Sequence, residues 1–324
     1  MSDTLLTEEN KFKSWSGQEL MSAKFKKRDW LIENIFRERD TMLFVGDEKA
    51  GKSLVIQQMV CCLTSQHALF DKYKVTKPCR ISYIQLEGEI EDTQDRFLRL
   101  NKTIDFNPDL FQLLFMPPIN FQDPNEYGQI GNEIAKFHKP DIIIIDPLYC
   151  AMAGSLNDDM AVRQFVGAIR RFKHILNCGI IIVHHTHKIR LTRDGKHIQE
   201  GDEATFGSKF LKAYPDHTML LAYNKKTEER ILTCSTQRMG DIEKTLCLNL
   251  HQPDPLYFYE TEEIITKEDG IYSLLKNYPE GLTVQEILDK SEMHSRTFYR
   301  SQKILFTQNR IKKTNSRPVK YIAI

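Results

Sequence analysis

At 324 residues the chain has room for one large domain and a small one. Its formal net charge is +1, but the charged residues are unevenly distributed. No apolar stretch approaches the roughly 20 residues that span a bilayer, and the N-terminus lacks a signal-peptide pattern. Seven scattered cysteines without a Cys-x-x-Cys pair favour reduced thiols over a disulfide framework, so we expect a soluble, cytoplasmic protein with no membrane partner.

Three consecutive regions are predicted: a lead-in segment at 1–29, an α/β domain at 30–262 and a small domain at 269–324. The lead-in segment is expected to pack on the α/β domain as a strand or helix. Residues 271–324 contain ten basic and four acidic side chains, a net charge of +6, and the rest of the chain therefore carries −5. This difference in charge indicates a separate electrostatic task for the last region.

Residues 46–53 read Gly-Asp-Glu-Lys-Ala-Gly-Lys-Ser, the G-x-x-x-x-G-K-S pattern of a phosphate-binding loop. The run 41–45 has strand composition and 54–60 has helical spacing, so the loop joins a strand to a helix, whose N-terminal amides favour phosphate. We therefore predict binding of ATP with Mg²⁺, with Lys52 at the β- and γ-phosphates and Ser53 on the ion. The predicted nucleotide-binding residues are Gly46, Asp47, Glu48, Lys49, Ala50, Gly51, Lys52, Ser53 and Leu54.

The middle of the chain alternates strand-like and helix-like segments, which favours an α/β sheet with helices on both faces. The runs 142–145 and 180–183 are apolar throughout, as buried parallel strands are. The predicted strands are 81–86, 113–116, 142–145, 180–183, 218–223, 231–235 and 246–250, and the predicted helices are 52–65, 91–100, 125–138 and 158–177. The last strands follow one another without helices, so we expect an antiparallel edge there.

Acidic residues end two of these strands, at the edge where α/β sheets bind ligands. Asp146 follows the four-isoleucine strand and is predicted to hold Mg²⁺ opposite Ser53; the alternative is an aspartate that only caps a strand before proline. Glu87 is placed to orient and deprotonate the attacking water. Glu89 is its rival for that role, and a solvated acidic turn is the alternative for both.

Residues 184–188 read His-His-Thr-His-Lys at the end of another strand. Three histidines in four residues suit zinc, but no Cys, Asp or fourth His stands nearby in the sequence to close a tetrahedral site. A histidine that senses the γ-phosphate, His185, is the favoured interpretation. Histidines satisfied within the core are the alternative.

The order of these parts resembles the RecA-type ATPases, specifically the RepA-type hexameric helicases of plasmids and phages and their DnaB-like relatives. The loop 46–53, the Glu87 strand, the Asp-Pro-Leu segment 146–148 and the segment 183–188 carry the resemblance, which covers roughly residues 30–250. It implies a RecA-like P-loop NTPase fold with a mostly parallel central sheet. It also implies a homo-oligomeric ring, a hexamer, that hydrolyses ATP at its subunit interfaces.

Two later segments gain roles from the same resemblance. Arg238, on a late strand, is the candidate arginine finger that acts in trans on transition-state charge; an ordinary solvated hairpin residue is the alternative. The long polar loop 188–208 corresponds to one that lines the family's central channel and contacts single-stranded DNA. The predicted phosphate contacts are Arg190, Arg193 and Lys196 in this loop and Lys209 directly after it, and a solvated mobile loop is the alternative.

The C-terminal region reads as three helices, 269–277, 284–290 and 295–308, followed by a hairpin of 310–313 with 320–324. This order resembles winged helix-turn-helix domains, in which the second helix of the pair reads a DNA groove. The predicted duplex-DNA contacts are Arg296, Arg300, Lys303, Lys312 and Lys313. The positive charge favours nucleic acid over protein docking, which is the alternative.

Together these features predict a Mg²⁺-dependent ATP hydrolase that acts on DNA as a helicase or translocase in DNA replication. The predicted catalytic residues are Lys52, Glu87, His185 and Arg238. Two other functions stay open: a recombinase-like DNA-repair ATPase, and an ATP-gated DNA-binding regulator without unwinding activity.

Overall fold

A computed structural model gives the fold of the chain. It describes residues 14–47, 49–117, 119–137, 139–185, 208–223, 230–237, 245–252, 254–261, 267–291, 295–307, 309–314 and 316–324. Two compact units divide the chain, Met1–Thr261 and Glu262–Ile324. Among the described residues, no helix is both long enough and apolar enough to cross a membrane.

The elements follow the predicted alternation. The strands are β1 Trp30–Ile32, β2 Phe36–Arg37, β3 Thr41–Gly46, β4 Ile81–Gln85, β5 Phe111–Phe115, β6 Ile142–Asp146, β7 Gly179–His185, β8 His217–Tyr223, β9 Arg230–Gln237, β10 Thr245–His251, β11 Tyr257–Thr261, β12 Ile311–Lys313 and β13 Tyr321–Ala323. The helices are α1 Gly17–Ser22, α2 Lys52–Ser65, α3 Ile90–Leu100, α4 Pro124–Phe137, α5 Asp159–Leu176, α6 Lys209–Ala213, α7 Lys267–Lys276, α8 Val284–Ser291 and α9 Ser295–Thr307.

The first unit is built on a nine-stranded sheet with the order β11-β10-β9-β8-β3-β7-β6-β4-β5. The pairings from β8 to β5 are all parallel. Strand β9 then pairs antiparallel with β8, and β10 and β11 continue that antiparallel edge. The arrangement confirms the predicted fold class, a RecA-like α/β P-loop NTPase domain with a mostly parallel central sheet, and the predicted antiparallel edge.

The isoleucine run of β6 shows why the parallel strands are apolar throughout. Ile142 and Ile144 lie in the core cluster that includes residues of α2 and α3, whereas Ile143 and Ile145 lie in the cluster that includes residues of α4 and α5. Successive side chains of a strand point to opposite faces. Because helices cover both faces here, all four isoleucines of β6 are buried.

The N-terminal segment contributes unequally to the core of the first unit. Strands β1 and β2 and the turn between them bring Leu31, Ile32, Ile35 and Phe36 into the core, each with at most 1% of its surface exposed. Helix α1 buries none of its residues. In the described part of the lead-in segment, Arg28 contacts the α/β domain through a hydrogen bond from its guanidinium to the buried Asp40.

The second unit contains three helices and a hairpin, in the predicted order. Strands β12 and β13 pair antiparallel, and Leu282 forms an additional bridge with Tyr321. Thr283 and Glu286 form a capping box at the start of α8, with reciprocal bonds between side chains and backbone amides. The core contains Ile271, Leu275, Leu282, Ile287, Phe298, Leu305, Ile311 and Tyr321. The assignment of these elements to a winged helix stays a prediction.

Candidate nucleotide-binding site

The phosphate-binding loop joins the buried strand β3 to helix α2, as its sequence predicted. Two glycines are required by the geometry. A Cβ atom at Gly46 would lie 2.6 Å from the carbonyl oxygen of Leu221, and Gly51 has φ of +93°, in the left-handed region. Glu48 lies outside the described residues. The described loop residues lead into α2, which begins at Lys52 with Gly51 as its N-cap residue.

Lys52 lies inside this loop, with only 4% of its surface exposed. Its Nζ donates to the carbonyl oxygens of Gly46, at 2.9 Å, and Asp47, at 2.6 Å. These bonds hold the ammonium group within the concave backbone that would surround the phosphates. The position suits the predicted contact with the β- and γ-phosphates.

Asp146 ends β6 and is 2% exposed. Its Oδ2 accepts a 2.6 Å hydrogen bond from the hydroxyl of Tyr83, but no donor in the described structure reaches the buried Oδ1. Burial raises the pKa of the Asp146 carboxyl, while hydrogen bonds from Tyr83 and Ser53 oppose that shift. A buried carboxylate oxygen without a partner, beside the Ser53 hydroxyl, fits Mg²⁺, which prefers oxygen ligands.

The donor set at Ser53 and Asp146 suits magnesium. No group of three or more His, Cys, Asp or Glu side chains that could hold a metal ion occurs in the described part of the chain. The carboxylate of Asp146 and the hydroxyl of Ser53 suit Mg²⁺, because this ion takes most of its ligands from water and phosphate. His187, the third histidine of the cluster, lies outside the described residues.

Glu87 follows β4 and is held by two neighbours. Its Oε1 lies 3.1 Å from Nε2 of His185, and its Oε2 accepts a 2.5 Å hydrogen bond from the hydroxyl of Tyr149. This bond to Glu87 raises the pKa of Tyr149 well above its ordinary value. The carboxylate therefore has a defined orientation at the sheet edge, where β6, the strand that ends in Asp146, lies between the strand that precedes Glu87 and the strand of His185.

Glu89 occupies a different position. It is the N-cap residue of α3, its side chain is exposed, and that side chain does not cap the helix. Both glutamates line a cavity of about 240 Å³ that also contains Ser53 and Asp146. Since Glu87 contacts His185 and Tyr149 as well, the geometry favours Glu87 over its rival as the residue that orients water.

The two described histidines of the cluster differ in environment. In the pairing of β3 with β7, His185 stands opposite Gly46, the first residue of the phosphate-binding loop. Its side chain is 27% exposed, whereas His184 is 3% exposed. His185 is therefore close to where the phosphates would lie, and His184 fits the alternative of a core histidine.

The predicted DNA-binding and interface residues are described only in part. Arg190, Arg193, Lys196 and Arg238 lie outside the described residues. The structure describes the backbone of Lys209, at the start of α6, and of Arg296 and Arg300, on α9, but not their side chains. Lys303, Lys312 and Lys313 are exposed in the second unit.

Several residues near the loop were not expected from the sequence. Tyr149 lies three residues after Asp146 but belongs to none of the motifs in the sequence. Arg230, at the start of β9, donates through Nε to the carbonyl oxygen of Ala50 at 3.2 Å. Gln58 of α2 makes two buried hydrogen bonds to the backbone of Phe258 on β11, at 2.7 and 2.6 Å. The antiparallel strands thus contact the nucleotide site.

One family model and a solved structure are similar to this chain. A family model described as an AAA domain matches residues 7–190. A solved structure, a KaiC-like protein from the hyperthermophilic archaeon Pyrococcus horikoshii OT3, is similar at 13% identity with a TM-score of 0.49, over 72% of this chain and 94% of that one. The search of curated proteins found no match. The family match spans the phosphate-binding loop, Glu87, Asp146 and His185.

Proposed function

This chain belongs to the AAA domain family, and we propose that it hydrolyses ATP to move along DNA, as a helicase or translocase in DNA replication. One observation carries the catalytic part of the proposal. Glu87, oriented by His185 and Tyr149, lies at the same sheet edge as the buried carboxylate of Asp146. Two carboxylates in different environments can take different roles, one with a cation and one with water.

The roles of the chain's own residues follow from these positions. The loop amides and Lys52 bind the phosphates, and Ser53 with Asp146 would hold Mg²⁺. When bound, the ion neutralises charge that develops on the phosphates. Glu87 accepts a hydrogen bond from the attacking water and orients it, and His185 fixes the carboxylate and senses the γ-phosphate. Tyr149 restrains the other carboxylate oxygen.

The DNA part of the proposal is supported by charge. Residues 271–324 carry a net charge of +6, and Lys303, Lys312 and Lys313 are exposed there. Helical spacing puts Arg296, Arg300 and Lys303 on one side of α9. Such a surface favours phosphate contacts. We assign duplex DNA to this unit and single-stranded DNA to the loop 188–208.

We further propose a ring, a hexamer, with ATP at the interfaces and Arg238 reaching the neighbour's phosphates. Mixing Arg238→Ala with Lys52→Ala protein tests this arrangement. If Arg238 acts in trans, some mixed interfaces combine an intact loop with an intact arginine, and ATP turnover partly recovers. Absence of recovery, once mixing of subunits is demonstrated by mass, counts against the finger.

The direct test measures three quantities on the full chain: ATP turnover with and without single-stranded DNA, strand separation of a forked duplex, and molecular mass in ATP. A helicase shows DNA-stimulated turnover, ATP-dependent strand separation and a ring-sized mass. If turnover is absent under all conditions, the ATPase assignment is wrong.

The same assays separate the two alternatives. A recombinase-like ATPase would show DNA-stimulated turnover and filaments on DNA, with no strand separation on the fork. An ATP-gated regulator would show slow turnover that DNA leaves unchanged, while ATP alters the affinity for duplex DNA.

A further inference from the structure

The phosphate-binding loop is contacted from outside its own motif by the antiparallel edge of the sheet. Arg230, the first residue of β9, donates from Nε to the carbonyl oxygen of Ala50 at 3.2 Å. Ala50 precedes Gly51, the residue of the loop with φ of +93°. The hydrogen bond therefore restrains the turn that directly precedes α2.

Arg230 is itself held in place by two aromatic rings. Its guanidinium carbon lies 4.6 Å from the ring centroid of Tyr223 and 5.3 Å from that of Phe258. Cation–π contacts of this kind stabilise a partly desolvated arginine. Tyr223 is the direct partner of Arg230 in the pairing of β8 with β9, so the sheet fixes one of the two rings.

Phe258 belongs to the same assembly. The side chain is fully buried, and a Cβ atom at Gly51 would lie 3.2 Å from its Cζ and 3.7 Å from Nε of Arg230. The two hydrogen bonds between Gln58 and the backbone of Phe258 fasten β11 to α2. The loop and its helix are thus supported by β9 and β11 at Ala50, Gly51 and Gln58.

From these contacts we propose that Arg230 is a positioning residue for nucleotide binding, which keeps the phosphate-binding loop in the conformation that receives phosphate. The inference rests on the proposed nucleotide binding and extends it to a residue outside the motif. A loop that is already ordered loses less conformational entropy when the ligand binds, so affinity rises. The guanidinium also adds positive charge behind the loop.

Lysine at position 230 separates geometry from charge. Arg230→Lys keeps the positive charge but loses the planar group that stacks and the Nε donor. In the full chain, we expect the Kd for a fluorescent ATP analogue with Mg²⁺ to rise about tenfold, as for a lost hydrogen bond worth about 1.4 kcal/mol. The KM for ATP should rise similarly while kcat changes less than about twofold, since the contacts of Arg230 with Ala50, Tyr223 and Phe258 do not involve Glu87 or Asp146.

The matched control is Arg37→Lys. Arg37 is also partly buried and its guanidinium carbon lies 4.1 Å from the ring centroid of Trp30, but it is not in the nucleotide site. This variant should bind the analogue with wild-type affinity. If Arg230→Lys does not fold, Tyr223→Leu removes one stacking ring, and its Kd should rise about threefold.

The outcomes distinguish the inference from the proposed function. Wild-type protein that does not bind the analogue overturns nucleotide binding and the inference with it. Wild-type binding that Arg230→Lys leaves unchanged overturns the inference alone, as does an equal loss of affinity in the Arg37→Lys control. Weakened binding in Arg230→Lys, with the melting temperature without nucleotide unchanged, supports the positioning role.

Discussion

The two halves of the central sheet place their residues in different environments. In the parallel half, the inner strands β3, β4 and β6 are buried at every position, whereas the edge strand β5 is half-buried throughout. In the antiparallel half, β10 and β11 include half-buried residues such as Asn249, Leu250 and Tyr257. Parallel strands need helices on both faces, whereas antiparallel strands tolerate one wetter face.

The difference also separates two contributions to the candidate site. The parallel half supplies the chemistry, because the carboxyl ends of its strands bring Glu87, Asp146 and His185 to one edge beside the loop. The antiparallel half supplies support, through Arg230 on Ala50 and Phe258 on Gln58. Substitutions in the two halves should therefore affect different measured quantities, and the following predictions test that separation.

The largest effect is expected from Lys52→Ala in the parallel half. The phosphates would lose the ammonium that Gly46 and Asp47 hold in the loop, so ATP turnover should fall by at least about 100-fold. Turnover is measured at saturating ATP and Mg²⁺. Lys72→Ala is the control, since Lys72 pairs with Glu260 in the antiparallel half and should keep wild-type turnover. Wild-type turnover in Lys52→Ala would exclude the loop as the catalytic nucleotide site.

Glu87→Gln should retain nucleotide binding but lose hydrolysis by about 100-fold or more, because an amide cannot accept the proton of the attacking water. The Kd of a fluorescent ATP analogue and the turnover rate are measured on the same preparation. Glu89→Gln, at the exposed start of α3, serves as the paired variant and should hydrolyse at nearly the wild-type rate. If the two variants exchange these behaviours, Glu89 is the residue that orients water.

A third prediction compares the stability of the two halves with side chains of equal carbon count. Ile144→Ala removes a fully buried side chain of β6 and should lower the free energy of unfolding by about 2–5 kcal/mol. Leu250→Ala, at a half-buried position of β10, should cost less than about 2 kcal/mol. Both tryptophans of the chain, Trp15 and Trp30, precede Thr261, so tryptophan fluorescence in denaturant reports the first unit alone. Equal costs would contradict the proposed difference in burial.

The smallest effect is expected in the second unit. Lys312 and Lys313 are exposed on β12, and replacing both with alanine should reduce the slope of log affinity for duplex DNA against log salt by about 2, one for each phosphate contact. Basal ATP turnover should not change, because the predicted nucleotide contacts all lie in the first unit. A salt dependence identical to that of the wild type would favour the protein-docking alternative for this unit.

Much of the parallel half was predictable from local patterns. The loop 46–53 has a fixed spacing because backbone amides must surround a phosphate. The runs that became β6 and β7 are apolar throughout because helices cover both faces. Strand ends then locate Glu87, Asp146 and His185 at one edge without any knowledge of distances. The helix and strand boundaries agree with the predicted ones to within a few residues.

Other features depend on contacts between residues distant in sequence, which no local pattern encodes. Tyr149 reaches Glu87 across 62 positions, and Gln58 reaches Phe258 across 200. The choice between Glu87 and Glu89 likewise depended on the fold. Both are acidic and two residues apart, but only Glu87 receives hydrogen bonds from both His185 and Tyr149 in the described structure.

The sequence by itself predicted the class of ligand and the sheet edge that would receive it, and it determined the charge of the C-terminal region. These follow from short-range spacing, strand alternation and composition, all of which are properties of the chain before it folds. Only the tertiary structure decided which carboxylate is oriented and which residues support the loop. A hydrogen bond such as that from Arg230 to Ala50 requires β9 to lie against the loop, and that proximity exists only once the sheet is assembled.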